Sequence, residues 1–214
     1  MVERVVIIDY GSGNLRSVEK AFERAAQNLG GAFSISVSAD AEIIASVDRV
    51  VLPGVGAFGA CMAGLRARDG VMDALHMSVF EHARPFLGVC VGMQLLANEG
   101  REMGHHRGLG WIDGVVDKIH TDDPRLRVPH MGWNEITVTN PHPVLDGLGG
   151  AGFYYANSYC VSAMASSSVR AVSTYGHDIT AAVGRDNIFG VQFHPEKSQD
   201  AGQVLIENFL KWRP

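Results

Sequence analysis

The stretch Gly88-Val89-Cys90-Val91-Gly92 sets a thiol two positions from a glycine on either side. An apolar run, "PFLGV" (85–89), precedes it, and "VGMQLLAN" reads as the start of a helix. A strand-to-helix turn of the form Gly-x-nucleophile-x-Gly is a nucleophile elbow: the glycines relieve crowding, the backbone takes a strained bend, and the central side chain projects outward. A helix N-terminus directly after Cys90 adds a positive field that favours thiolate over thiol. The same pattern also suits a glycine-lined turn whose cysteine packs as a small hydrophobe.

A thiol nucleophile needs a base, and "QFHPEKS" (192–198) supplies one. His194 and Glu196 are two apart at the end of an extended run, so their side chains share a face. Pro195 disfavours helix at His194 and holds that geometry where the strand stops. The imidazole takes the thiol proton and the carboxylate orients the ring, the Ser-His-Asp arrangement with cysteine in place of serine. Read alone, Pro195 and Glu196 equally suit the first turn of a helix. Cys, His and Glu together in one α/β chain favour catalysis over either separate reading. Acyl chemistry also needs donors for a developing oxyanion, each worth roughly 3–4 kcal/mol of barrier. The Val91 amide is one candidate, and the glycines of "LPGVGAFG" (52–59) allow an amide of Val55 or Gly56 to be another.

The elements around these residues define the fold class. "RVVIID" (4–9), "FSISV" (33–37), "RVVLPG" (49–54) and "PFLGV" read as buried strands. Helical stretches lie between them: one with Leu15, Val18, Phe22, Ala25 and Leu29 on a single face, closed by Gly30-Gly31, and others near 42–46 and 60–83. Strand alternating with helix implies parallel pairing. After residue 114 the texture changes to strand followed by strand, at 115–119, 134–138, 153–161, 169–175, 180–184 and 188–194, before a closing helix at 200–212. The expected architecture is one α/β domain over 1–214: a mostly parallel central sheet flanked by helices, with an antiparallel or mixed region added in the second half.

Composition excludes several classes. A formal net charge of −5 without a basic, aromatic-interleaved run leaves no nucleic-acid footprint. No apolar run of about 18 residues occurs, so nothing reads as a membrane span. Cys61, Cys90 and Cys160 are odd in number and lack C-x-x-C spacing, which points to free thiols and a reducing cytoplasm. Gly11-x-Gly13 with Asp40 downstream partly mimics a dinucleotide fingerprint, but Arg16 stands where the third glycine belongs. His105, His106, His120, His130, His142 and His177 lack metal-site spacing and are expected to be solvent-exposed; no metal or cofactor is expected.

Over nearly the whole chain, "IIDYGSGNLRSV", "LPGVGAFG", "FLGVCVGMQLL", "RVPHMGWNEI", "YYANSY" and "FGVQFHPEKS" together resemble the class I, or triad, glutamine amidotransferases. "DYGSGNLRSV" and "PHMGWN" narrow the resemblance to the glutaminase subunits of imidazole glycerol phosphate synthase. The resemblance implies that Cys90 attacks the side-chain amide of L-glutamine, with His194 and Glu196 completing the triad. It also implies that Gln94 and the Ser158-Tyr159 backbone hold the substrate. Ammonia would pass to a (β/α)8 cyclase subunit in a heterodimer, with Asn14, Trp133, Tyr154 and Lys197 facing that partner. One position departs: the family often carries histidine where this chain has Asn157. The glutaminase of another synthase, a stand-alone γ-glutamyl hydrolase and a non-enzymatic regulatory subunit on the same scaffold stay open at this point.

Overall fold

The computed structural model describes residues 2–214. In chain order the elements are β1 (Glu3–Ile8), α1 (Leu15–Asn28), β2 (Phe33–Ser38), α2 (Ala41–Ser46), β3 (Arg49–Gly54), α3 (Phe58–Arg66) and α4 (Val71–His76). Then come β4 (Phe86–Cys90), α5 (Val91–Gln94), β5 (Glu99–Gly100), β6 (His106–Arg107), β7 (Gly114–Lys118), β8 (His130–Glu135) and β9 (Thr137–Val138). The chain closes with β10 (Gly152–Asn157), β11 (Tyr159–Ala163), β12 (Val169–Tyr175), β13 (His177–Arg185), β14 (Ile188–Val191) and α6 (Gln199–Lys211).

The central sheet has eight strands in the order β2-β1-β3-β4-β14-β13-β12-β9. From β2 through β14 the pairings are parallel, and from β14 outward they are antiparallel. The buried runs Val5–Ile8, Val50–Leu52 and Phe86–Val89 carry few polar side chains because helices cover both faces of a parallel sheet. The expected antiparallel region is present and larger than one extension: β8 with β10 forms a two-stranded ribbon, and β11, β7, β5 and β6 form a further small sheet.

Three sequence expectations are corrected. The helix expected over 60–83 breaks at Ala67–Gly70, where Gly70 takes φ +71°, and ends in a π-turn over Met77–Glu81. The strand expected over 153–161 is two strands on different sheets, parted at Ser158. That expected over 134–138 likewise divides, into the end of β8 and β9. Alternation marks a strand but does not say which sheet receives it.

The Gly11-x-Gly13 turn and Asp40 also find their places. Both glycines have positive φ, and the Asp40 carboxylate caps α2 by accepting from the Glu42 and Ile43 amides. Among the described residues, no helix is long and apolar enough to cross a membrane, and all three cysteines are free thiols.

Candidate active site

Cys90 ends β4 and caps α5 with φ +55° and ψ −114°, a conformation that a non-glycine residue adopts only under constraint from its surroundings. The two glycines make it possible. A Cβ on Gly88 would stand 2.6 Å from the Gly92 carbonyl oxygen, and one on Gly92 would stand 1.8 Å from that of Leu52. The bend is therefore folded tightly onto itself and onto β3. The helix behind it is shorter than expected: α5 is a single turn, so its dipole contributes less than that of a full helix.

His194 follows the end of β14 in extended geometry (φ −103°, ψ 95°), and Pro195–Lys197 form one 3-10 turn. The extended reading thus holds at His194 and the helix-start reading holds from Pro195. Backbone contacts pin the histidine: its N–H donates to Tyr154 O at 2.9 Å, and the Ser198 hydroxyl donates to its carbonyl at 2.6 Å. The Glu196 carboxylate meets His194 Nδ1 at 2.9 Å with both side chains almost fully buried. Burial disfavours the imidazolium, but interaction with the Cys90 sulfur and the Glu196 carboxylate outweighs it and pushes His194 up to about 9 from its ordinary 6.5. Cys160 shows a thiol without such company: burial, then Asp117, push it up to about 11.

Cys90, His194, Val55, Gly56, Val91, Gln94, Ser158, Tyr159 and Lys197 line one open cavity of about 510 Å³. Glu196 stands behind His194. Val55 is placed differently from expectation: its N–H donates to Ser12 Oγ at 3.2 Å, so the loop amide left for an oxyanion is that of Gly56, where φ is +95°. Gln94 is also more committed than expected, since Nε2 donates to Tyr159 O and to Gln192 Oε1, both at 3.0 Å, leaving Oε1 for a substrate donor.

Trp133, Tyr154 and Lys197 form one group, of which Lys197 also lines the cavity. The Trp133 and Tyr154 rings meet edge-on at 6.3 Å, and Lys197 Nζ lies 5.7 Å from the Tyr154 centroid. Trp133 is 52% exposed and Met131, two residues earlier on β8, 65%. Asn14 is exposed at the start of α1, where its carbonyl accepts from the Ser17 and Val18 amides.

Sequence reasoning missed Glu102, which lines the cavity and accepts from the Phe58 amide at 2.8 Å, and Gln192, which is fully buried beside the sulfur. An isolated acid in a loop carries no periodic signal; Gln192, two positions before His194, was adjacent to one. The histidine expectation is corrected in part. His105, His120 and His177 are exposed and His106 half-buried, but His130 and His142 are buried, stacked on Tyr155 and Tyr175 and on Phe189 respectively. Burial pushes both down to about 4, with Arg170 adding to the effect at His142.

The sequence model of the class-I glutamine amidotransferases matches residues 6–212. The imidazole glycerol phosphate synthase subunit HisH of Brucella abortus (strain 2308) is 53% identical over 215 residues, spanning 99% of this chain and all of that protein. The subunit of the same name from Caulobacter vibrioides is 50% identical over 214 residues, with both chains covered in full. A crystal structure of a glutamine amidotransferase superposes with a TM-score of 0.72 at 20% identity, covering 96% of this chain and 97% of that one. The Trypanosoma brucei CTPS glutaminase domain with bound acivicin does so at 0.64 and 15%, covering 100% and 96%. These two structures speak to the fold alone; the family rests on the full-length identities and the family match, by which this chain belongs to the class-I glutamine amidotransferases and, among them, to the HisH subunits of imidazole glycerol phosphate synthase.

Proposed function

We propose that the chain, as one amidotransferase domain over 1–214, is the glutaminase subunit of imidazole glycerol phosphate synthase in histidine biosynthesis. The observation that carries this reading is Cys90, held at φ +55° and facing the cavity beside a His194 ring anchored by buried Glu196. Glutamine enters with its carboxamide at Cys90. The Glu102 carboxylate and Gln94 Oε1 suit its ammonium group, and the Ser158-Tyr159 backbone suits the rest of the amino-acid moiety.

Sγ attacks the carboxamide carbon, and the amides of Val91 and Gly56 receive the oxyanion. His194 holds the proton that the sulfur gives up and passes it to the departing nitrogen, so that ammonia leaves and a γ-glutamyl thioester remains. Water then attacks the thioester, giving its proton to His194, and glutamate departs as the thiol is restored. Glu196 keeps Nδ1 oriented throughout.

Ammonia passes to a (β/α)8 cyclase subunit, which makes imidazole glycerol phosphate and aminoimidazole carboxamide ribotide. The exposed Trp133 and Met131, with Tyr154 beside Trp133, Lys197 lining the cavity and Asn14 at the start of α1, belong to the face that meets this partner. A cytoplasmic heterodimer follows from this role and suits three free thiols.

The test is glutamate release from glutamine by the chain alone and with the cognate cyclase carrying its ligand; negligible turnover in both rejects the reading. Cys90→Ala should abolish glutamine-dependent synthesis while free ammonium still drives the cyclase.

A further inference from the structure

Gln192 has no exposed surface, and its amide is fully committed in orientation. Gln94 Nε2 donates to Gln192 Oε1 at 3.0 Å, so the other end of the Gln192 amide must be the nitrogen. That nitrogen lies 3.8 Å from Cys90 Sγ, within reach of a sulfur acceptor. Gln94 is itself fixed by its second bond to Tyr159 O at 3.0 Å, and Asn157 Nδ2 donates to the same oxygen at 3.0 Å. An amide chain thus runs from the cavity wall to the sulfur.

From this geometry we infer that Gln192 is a further residue of the glutaminase reaction, a donor that holds Cys90 Sγ as the anion and ties that sulfur to the residues that bind glutamine. The inference rests on the glutaminase reading and deepens it. Cys90 is only 4% exposed, so an anion at its sulfur needs donors from the protein rather than from water, and Gln192 supplies one from the wall. Because Gln94 sets the direction of the Gln192 amide, a substrate held by Gln94 also steadies the donor on the sulfur. Glutamine binding and nucleophile geometry are coupled through a single side chain.

The experiment follows iodoacetamide alkylation of Cys90 by mass spectrometry across about pH 5 to 9, in the full-length chain and in Gln192→Met and Gln192→Glu. Gln192→Met keeps the length and removes the donor; Gln192→Glu replaces the donor with a negative charge. The midpoint of the alkylation profile is expected to rise by about one pH unit in Gln192→Met and further in Gln192→Glu. With the cyclase bound, kcat for glutamine falls more than KM rises. A merely structural role would lower the thermal midpoint and leave the alkylation midpoint in place, and that result in folded Gln192→Met overturns the inference. If neither Gln192 variant folds, Gln94→Met, which frees the Gln192 amide to turn, decides the matter: an upward shift supports the coupling and no shift overturns it. Wild-type turnover with the cyclase stands apart from these comparisons, so the glutaminase reading and this inference fail by different results.

Discussion

The α-carbon of Gly92 packs against the Leu52 carbonyl oxygen so closely that a methyl group there would lie 1.8 Å from it. The first turn of α5 is thereby clamped to β3, and the bend that presents Cys90 cannot relax without parting the two. Gly92→Ala is expected to destabilise the fold by about 3 kcal/mol or more, beyond ordinary overpacking because the obstacle is backbone. For a chain of this size that lowers the thermal midpoint by at least about 6 °C. An unchanged melt by calorimetry would refute the clamp.

Removing the charge behind the imidazole should move the pH dependence of turnover. His194 carries its proton up to about 9 because the Cys90 sulfur and the Glu196 carboxylate together overcome the effect of burial. In the wild type, glutamine turnover is therefore expected to fall as pH rises through about 9. Glu196→Gln shifts that limb to lower pH and lowers kcat by roughly 10²–10⁴-fold, the scale of a misplaced base. Steady-state profiles of the complex check both statements; a limb that stays in place removes Glu196 from its role.

Stability should respond to pH on the acid side. Between 6.5 and about 4 buried His130 and His142 stay neutral in the folded chain while the unfolded chain protonates both, so stability falls as pH drops. The thermal midpoint should accordingly fall as pH drops from 6.5 towards 4. His142→Phe, which keeps a ring against Phe189, should flatten the acid side; an equally steep fall in that variant counts against the assignment.

Ser12 and Val55 make a fourth test. Ser12 Oγ engages both the carbonyl and the amide of Val55, and Cys61 Sγ adds a contact to the same carbonyl at 3.4 Å. Ser12→Ala releases the Val55 amide, giving the cavity a second loop donor beside Gly56. Glutaminase turnover of the isolated chain is expected to rise, by up to about a hundredfold, the order of one oxyanion donor. Turnover that is unchanged or lower shows that the amide has no path to the substrate.

The legible parts of this protein are those where one residue type answers one geometric demand. Gly88 and Gly92 announced the elbow because no side chain fits there, and Pro195 marked where extended backbone gives way. The parallel strands were readable because burial on both faces leaves continuous apolar runs. Gln192 and Glu102 were not, since a single polar residue has no period and acquires meaning only from what folds beside it. The burial of His130 and His142 depended on rings from distant strands, which no local pattern announces. The break at Ser158 was hidden because "FYYANSYCV" holds no glycine or proline to mark a turn, and the chain passes from one sheet to another within a single residue.

That crossing has a mechanical consequence. Asn157 ends the ribbon that displays Trp133 and Met131, Tyr159 begins a strand of a separate sheet, and the single residue between them accepts the Ile119 amide at 2.8 Å. All three line the chamber at Cys90. Any body that grips the ribbon from outside therefore holds a lever whose pivot is the wall beside Cys90, and a twist of the outer aromatics reaches that chamber without first passing through the eight-stranded sheet.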